Sequence, residues 1–104
     1  LANALLLPDS LALIEQRASH VDQQQRIRDV HQIFTNAGLT AASLVQSVRL
    51  LIEKVGIQMG LDKQGIPAGD LPMLAELAFA DGIHRTNMVP VTRDDLLAVY
   101  RSAF

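Results

Sequence analysis

Ala41-Ala42-Ser43-Leu44-Val45-Gln46-Ser47-Val48-Arg49-Leu50-Leu51-Ile52-Glu53-Lys54-Val55 is the stretch whose reading decides the fold. Leu44, Val45, Val48, Leu51, Ile52 and Val55 recur at three- and four-residue spacing, which gathers them on one stripe of a helix. Ser43, Gln46, Ser47, Arg49, Glu53 and Lys54 fall opposite as a polar face. A strand would alternate at period two, and this run does not. Thr40 is placed to cap the start of the helix and Gly56 to close its end.

Working back from this helix, the run from Asp22 to Asn36 spaces Ile27, Val30, Ile33 and Phe34 along one side, and Gln, Arg and Asp fill most of the rest. That pattern predicts a surface helix with one apolar face. Gly38 stands where a left-handed residue would end it. Further back, Leu1-Ala2-Asn3-Ala4-Leu5-Leu6-Leu7-Pro8 is an apolar helical run with no capping residue ahead of it, so it reads as a helix truncated at its start. A kink is expected at Pro8, or a restart capped by Asp9 or Ser10 and running through Leu11, Leu13, Ile14 and Arg17.

In the other direction, the segment Gly60 to Pro67 is too short and too glycine-punctuated for more than a turn of helix. Asp70 is placed to cap a helix that tolerates Pro72 in its first turn, with Met73, Leu74, Leu77 and Ala78 expected to face inward and Asp81-Gly82 to end it. From Gly82 to Val91 there is no period, and His84, Asn87 and Pro90 predict a loop longer than the usual connection. Thr92-Arg93-Asp94-Asp95 is a capping-box variant opening a last helix with Leu96, Leu97, Tyr100 and Phe104 apolar.

These elements predict an all-α fold, a bundle of about five helices forming one domain over residues 1–104. Hydrophobic residues make up 49% of the chain and aromatics only 4%, so the core is built from Leu, Ile, Val and Ala. With 9 basic and 11 acidic residues and no basic stripe carrying aromatics, nucleic acid is not expected as a partner. The run Leu1 to Leu7 is far shorter than the ~20 residues a membrane span requires, so no membrane is expected either. The absence of Cys removes disulfides and thiolate metal sites and fits a cytoplasmic location.

Little in the chain promises chemistry. His20 and His31 lack the three- or four-residue spacing of ligands on one helix and read as solvated or partly packed side chains. His84 stands out beside Arg85 in the long loop, although a single loop histidine is ordinarily just exposed. Ser10, Thr40 and Thr92 read as caps, and Ser43 and Ser47 as polar-face residues, so no nucleophile and base are paired. Gly56, Gly60 and Gly65 follow no strand and make no nucleotide-binding turn. Asp94 and Asp95 are adjacent and diverge around a helix, and Met59, Met73 and Met88 read as core or loop filler.

Three stretches together resemble the C-terminal helical domain of iron-containing (group III) alcohol dehydrogenases, a dehydroquinate-synthase-like fold. Leu1-Ala2-Asn3-Ala4-Leu5-Leu6-Leu7-Pro8 is similar to the family's helix after a His-Gly step. Gly65-Ile66-Pro67 with Asp70-Leu71-Pro72 and Leu74-Ala75 is similar to its connector and following helix. Asp81, Thr86-Asn87, Pro90, Val91-Thr92, Asp94-Asp95 and Tyr100-Arg101-Ser102-Ala103 are similar to its ending.

The resemblance implies a parent enzyme with an N-terminal nucleotide-binding domain, NAD or NADP, and Fe²⁺ or sometimes Zn²⁺ held by one Asp and three His. The last of those His precedes the segment matching Leu1, so the resemblance places no catalytic, cofactor-binding or metal-binding residue in this chain. It does imply that the loop after Asp81 flanks the substrate side of the cleft, which makes Ile83, His84 and Arg85 the candidate cleft residues. Many relatives carry a Cys near Ile83 and Asn-Pro where this chain has Asn87-Met88, so no particular substrate carries over.

The expected function is thus the helical domain, a fragment, of a metal-dependent NAD(P)-linked alcohol dehydrogenase, inactive without its missing N-terminal domain. The alternative is a stand-alone helical protein-protein interaction module. Either way the face of Leu1 to Leu7 is expected to be covered, by a partner or by a second copy in a homo-oligomer.

Overall fold

Ser43, rather than Thr40, opens the central helix of the chain's first half: its Oγ accepts from the Gln46 amide at 3.2 Å, and the helix runs Leu44–Lys54. The computed structural model describes residues 1–104 and is entirely helical, with no strand. In order the α-helices are α1 (Ala2–Arg17), α2 (Val21–Asn36), α3 (Leu44–Lys54), α4 (Leu71–Asp81) and α5 (Arg93–Ala103). Short 3₁₀ turns occupy Asp62–Gln64, Ala68–Asp70 and Ile83–Thr86. Two compact units are present, Leu1–Gln58 and Met59–Phe104.

In the first unit α3 packs against both α1 and α2. Leu44, Val48 and Ile52 are buried at the expected helical spacing, with Leu5 and Pro8 of α1 and Ala18 beyond its end. Each large aliphatic side chain removed from water here contributes about 2 kcal/mol before conformational entropy is subtracted. The stripe is narrower than its sequence suggests. Leu51 remains 38% exposed and Val55 61%. Ser47, expected on the polar face, is instead fully buried, because its Oγ donates to the Leu39 carbonyl at 2.7 Å and is thereby satisfied within the core.

The expected restart after Pro8 does not occur. α1 continues through Pro8, Asp9 and Ser10, so neither Asp9 nor Ser10 caps a helix. Pro8 is among the most deeply buried side chains, which offsets the hydrogen bond its missing N–H forfeits. Asp9 is paired instead with Arg49 of α3 at 3.4 Å.

α2 has no buried residue. Val30 and Ile33 are exposed, and the inward side is carried by half-buried Ile27, His31 and Phe34. His31 Nε2–H donates to the Ala41 carbonyl at 3.0 Å, tying the helix to the segment that leads into α3. At its C-terminus the Gly38 amide bonds to the Thr35 carbonyl and the Leu39 amide to the Phe34 carbonyl, with Gly38 at φ +87°. This is the left-handed termination expected from the sequence.

In the second unit α4 and α5 pack on each other. The core is Leu61, Leu71, Ala75, Val89, Val99 and Ala103, and the two alanines allow a close approach of the helices. Here the expected faces are rotated. Met73 is 53% and Leu77 62% exposed, while Leu71 and Ala75 turn inward. On α5, Val99 and Ala103 are the buried positions, Leu96, Leu97 and Tyr100 are half-buried, and Phe104 is 39% exposed. Arg93 at the start of α5 pairs with Glu76 of α4 and with Asp94. Thr92 Oγ1 accepts from the Asp95 amide at 3.2 Å while Asp95 Oδ2 accepts from the Thr92 amide at 2.8 Å, completing the capping box.

Candidate functional site

The segment after α4 is built, not loose. Gly82 ends the helix, and residues 83–86 form a 3₁₀ turn where the sequence had suggested an aperiodic loop. The turn is held by Arg85 N–H to the Gly82 carbonyl at 3.1 Å, Asn87 N–H to the His84 carbonyl at 3.1 Å, and Thr86 Oγ1–H to the Ile83 carbonyl at 2.9 Å. Local hydrogen bonds of Thr with nearby carbonyls compete well in such turns, which is why a stretch without period still takes one structure.

The turn fixes His84. Its ring stacks on Phe79 with centroids 4.6 Å apart and planes inclined by 12°, and Nε2 lies 3.0 Å from the Phe79 carbonyl. A carbonyl oxygen accepts only, so Nε2 carries the proton and donates; Nδ1 is then the unprotonated ring nitrogen. Beyond the turn the chain becomes extended at Asn87, and Val89, 4% exposed, anchors it into the unit's core.

Between the turn and this extended strip lies an open cleft of about 380 Å³. His84, Arg85 and Asn87 supply its polar part, and residues 88–91 (Met, Val, Pro, Val) supply an apolar wall. No acidic residue lines it. Arg85 pairs with no carboxylate, and its guanidinium lies 3.8–3.9 Å from where a Cβ on Gly82 would stand. Of the three residues singled out in the sequence, His84 and Arg85 line the cleft, and Ile83, 71% exposed, does not. The apolar wall was not singled out; Val91 and Pro90 stood there only as a loop ending, and Met88 as filler.

Elsewhere the polar side chains serve structure. His20 caps the start of α2, its amide donating to Gln23 Oε1 at 3.4 Å. No three His, Asp or Glu side chains converge on a point where a metal ion would sit. With no strand, there is no strand-to-helix turn to receive a dinucleotide pyrophosphate. The residues present therefore do not fit a metal or a nicotinamide cofactor of their own. No helix is long and apolar enough to cross a membrane.

Fold and cleft together define an all-α module with one small cleft, lined by His84, Arg85, Asn87 and residues 88–91. Residues 1–104 match the family model described as the Fe-containing alcohol dehydrogenase family, C-terminal. The chain belongs to that family, whose name implies a parent oxidoreductase, and the match leaves the stand-alone interaction module without support. Searches of curated proteins and of solved structures return no match.

Proposed function

We propose that this chain is the helical part of a metal-dependent, NAD(P)-linked alcohol dehydrogenase, in which it provides packing and one wall of the substrate cleft. The single observation that carries this reading is the family match over residues 1–104. The cleft beside α4 supports this reading: His84 and Arg85, which line it, face the substrate, and Ile83, exposed and outside its lining, flanks it. Fe²⁺ or Zn²⁺ and NAD or NADP are held in the cleft of the parent enzyme by residues outside this chain, the nucleotide on an N-terminal nucleotide-binding domain. The contribution of this chain is to orient the alcohol and exclude water, not to move the hydride or the proton.

Leu1 and Leu7, 68% and 44% exposed, are covered in the assembled enzyme by that domain or by a second copy in a homo-oligomer, and the enzyme is cytoplasmic. The test is to extend the reading frame upstream of the Leu1 codon, purify the full-length product, load it with Fe²⁺ or Zn²⁺, and assay primary alcohols with NAD⁺ and NADP⁺. Alcohol-dependent reduction of either nucleotide is the expected result. A start codon directly before Leu1, or a full-length product that reduces neither, overturns the proposal.

A further inference from the structure

α2 spans 16 residues and gives no buried side chain to its own unit. Its inward side is half-buried Ile27, His31 and Phe34. Its outer polar side chains are satisfied among themselves: Gln25 donates to Asp29 at 2.7 Å, Arg28 to Gln25 at 2.8 Å and Gln32 to Asn36 at 2.8 Å. Between these two faces runs a further stripe, Arg26, Val30, Ile33 and Ala37, at steps of four, three and four residues. All four are exposed, Val30 by 41% and Ile33 by 64%, and Arg26 makes no ion pair.

This stripe is complementary to itself when reversed. About a two-fold axis at the level of His31 and Gln32, position 30 faces 33 and position 26 faces 37, because each pair is centred between residues 31 and 32. Val30 and Ile33 of one copy then meet Ile33 and Val30 of the other. Each Arg26 lies over the small Ala37 at the other copy's helix end. α2 carries no basic residue in its last turn, so the negative end of its dipole is open to that guanidinium. A parallel pairing would set the two Arg26 side chains at one level, where like charges repel.

From this geometry we infer that α2 is a homotypic interface, through which two copies of the chain pair antiparallel by Arg26, Val30, Ile33 and Ala37. The inference stands apart from the cleft and from the catalytic reading. A single helix pair falls below the roughly 1,200–2,000 Å² of standard stable interfaces, so the contact is a reversible association, on the order of micromolar, rather than a permanent dimer.

The experiment is sedimentation equilibrium of the full-length protein over roughly 1–100 μM, a range that brackets such an affinity. The expected result is a concentration-dependent doubling of mass. Ile33→Glu should weaken that step at least about tenfold, because it sets a carboxylate against Val30 of the other copy. Arg26→Glu should weaken it too, and adding Ala37→Lys to Arg26→Glu should restore it. Positions 26 and 37 lie eleven residues apart on one helix, so that rescue can act only between copies. All of these side chains are exposed, and the thermal midpoint of each variant is expected to stay within a few degrees of the parent. Pairing through any other surface remains as a constant mass beneath the α2 step.

A mass that does not change with concentration overturns the inference, and so does a step that survives Ile33→Glu. An unchanged mass together with a lowered thermal midpoint in Ile33→Glu would show the stripe covered within one chain, which also overturns it. A step lost in Arg26→Glu and not restored by Ala37→Lys overturns the antiparallel pairing.

Discussion

The imidazole of His84 lies flat against the ring of Phe79, five residues earlier in the chain, and returns a hydrogen bond to that residue's own carbonyl oxygen at 3.0 Å. The two contacts act on different parts of the histidine. Stacking fixes the plane of the ring, and the hydrogen bond fixes which nitrogen carries the proton. The last turn of α4 thereby sets the state of a side chain in the cleft.

The first prediction concerns that proton. Long-range ¹H–¹⁵N spectra of the neutral His84 ring should show Nε2 as the protonated nitrogen and Nδ1 as the bare one. Phe79→Ala keeps the backbone carbonyl, so Nε2 should stay the protonated nitrogen while the ring plane loosens, at a cost of roughly 1 kcal/mol of stacking. A wild-type spectrum dominated by the Nδ1–H form would contradict the hydrogen bond.

The capping box at Thr92 and Asp95 should govern the opening of α5. Thr92→Ala removes the acceptor for the Asp95 amide and should cost about 1 kcal/mol, seen as a five- to tenfold faster hydrogen exchange of that amide. Unchanged exchange would mean that the helix start is held by packing alone.

Ser47 makes a sharper case, because it is fully buried and its Oγ donates to Leu39 at 2.7 Å. Ser47→Ala should lower stability by about 1–2 kcal/mol in urea unfolding, through the unpaired carbonyl. Ser47→Val should cost more still, since it adds volume to a space already filled. If Ser47→Val were the milder change, the hydroxyl would not be what holds this position.

Glycine replacements should rank by geometry. At Gly38, φ +87° with open space around it, alanine should cost about 1 kcal/mol from backbone strain alone. At Gly60, φ +107°, an added Cβ would also stand 2.7 Å from Asp62 Oδ1 and 3.1 Å from Lys63 Cγ, so that the carboxylate must swing away. Gly60→Ala is therefore expected to be the more destabilising by about 1 kcal/mol in thermal or urea unfolding. Equal losses would show that only the backbone angle matters.

The residues that were legible in the sequence and those that were not separate along physical lines. α3 could be read because Leu44, Val48 and Ile52 stand among charged and amide side chains, so only one face can be buried. α4 could not, because it is apolar nearly all round. Met73 and Leu77 are as hydrophobic as Leu71, and only the packing partner decides which turns inward. Thr40 and Ser43 are chemically near-equivalent caps, and Ser43 takes the role because the helix begins at Leu44, which leaves Thr40 outside its first turn and brings the Gln46 amide to the Ser43 Oγ. In the cleft, His84 and Arg85 were visible as polar residues in a long loop. The wall from Met88 to Val91 was invisible because a run of apolar residues looks the same whether it lines a cavity or fills a core.

The amide of Leu61 donates to the carbonyl of Ala103 at 2.8 Å, so the beginning and the end of the second unit are pinned to each other. Such a closure works like a clasp on a necklace. Opening the unit there breaks that hydrogen bond and exposes the buried side chains of Leu61 and Ala103 together, at the junction of the connector with the final helical turn. The Leu61 amide is thus the donor whose hydrogen exchange reads this closure directly. Damage to the last two residues would be felt first at the connector, far along the sequence from where it occurred.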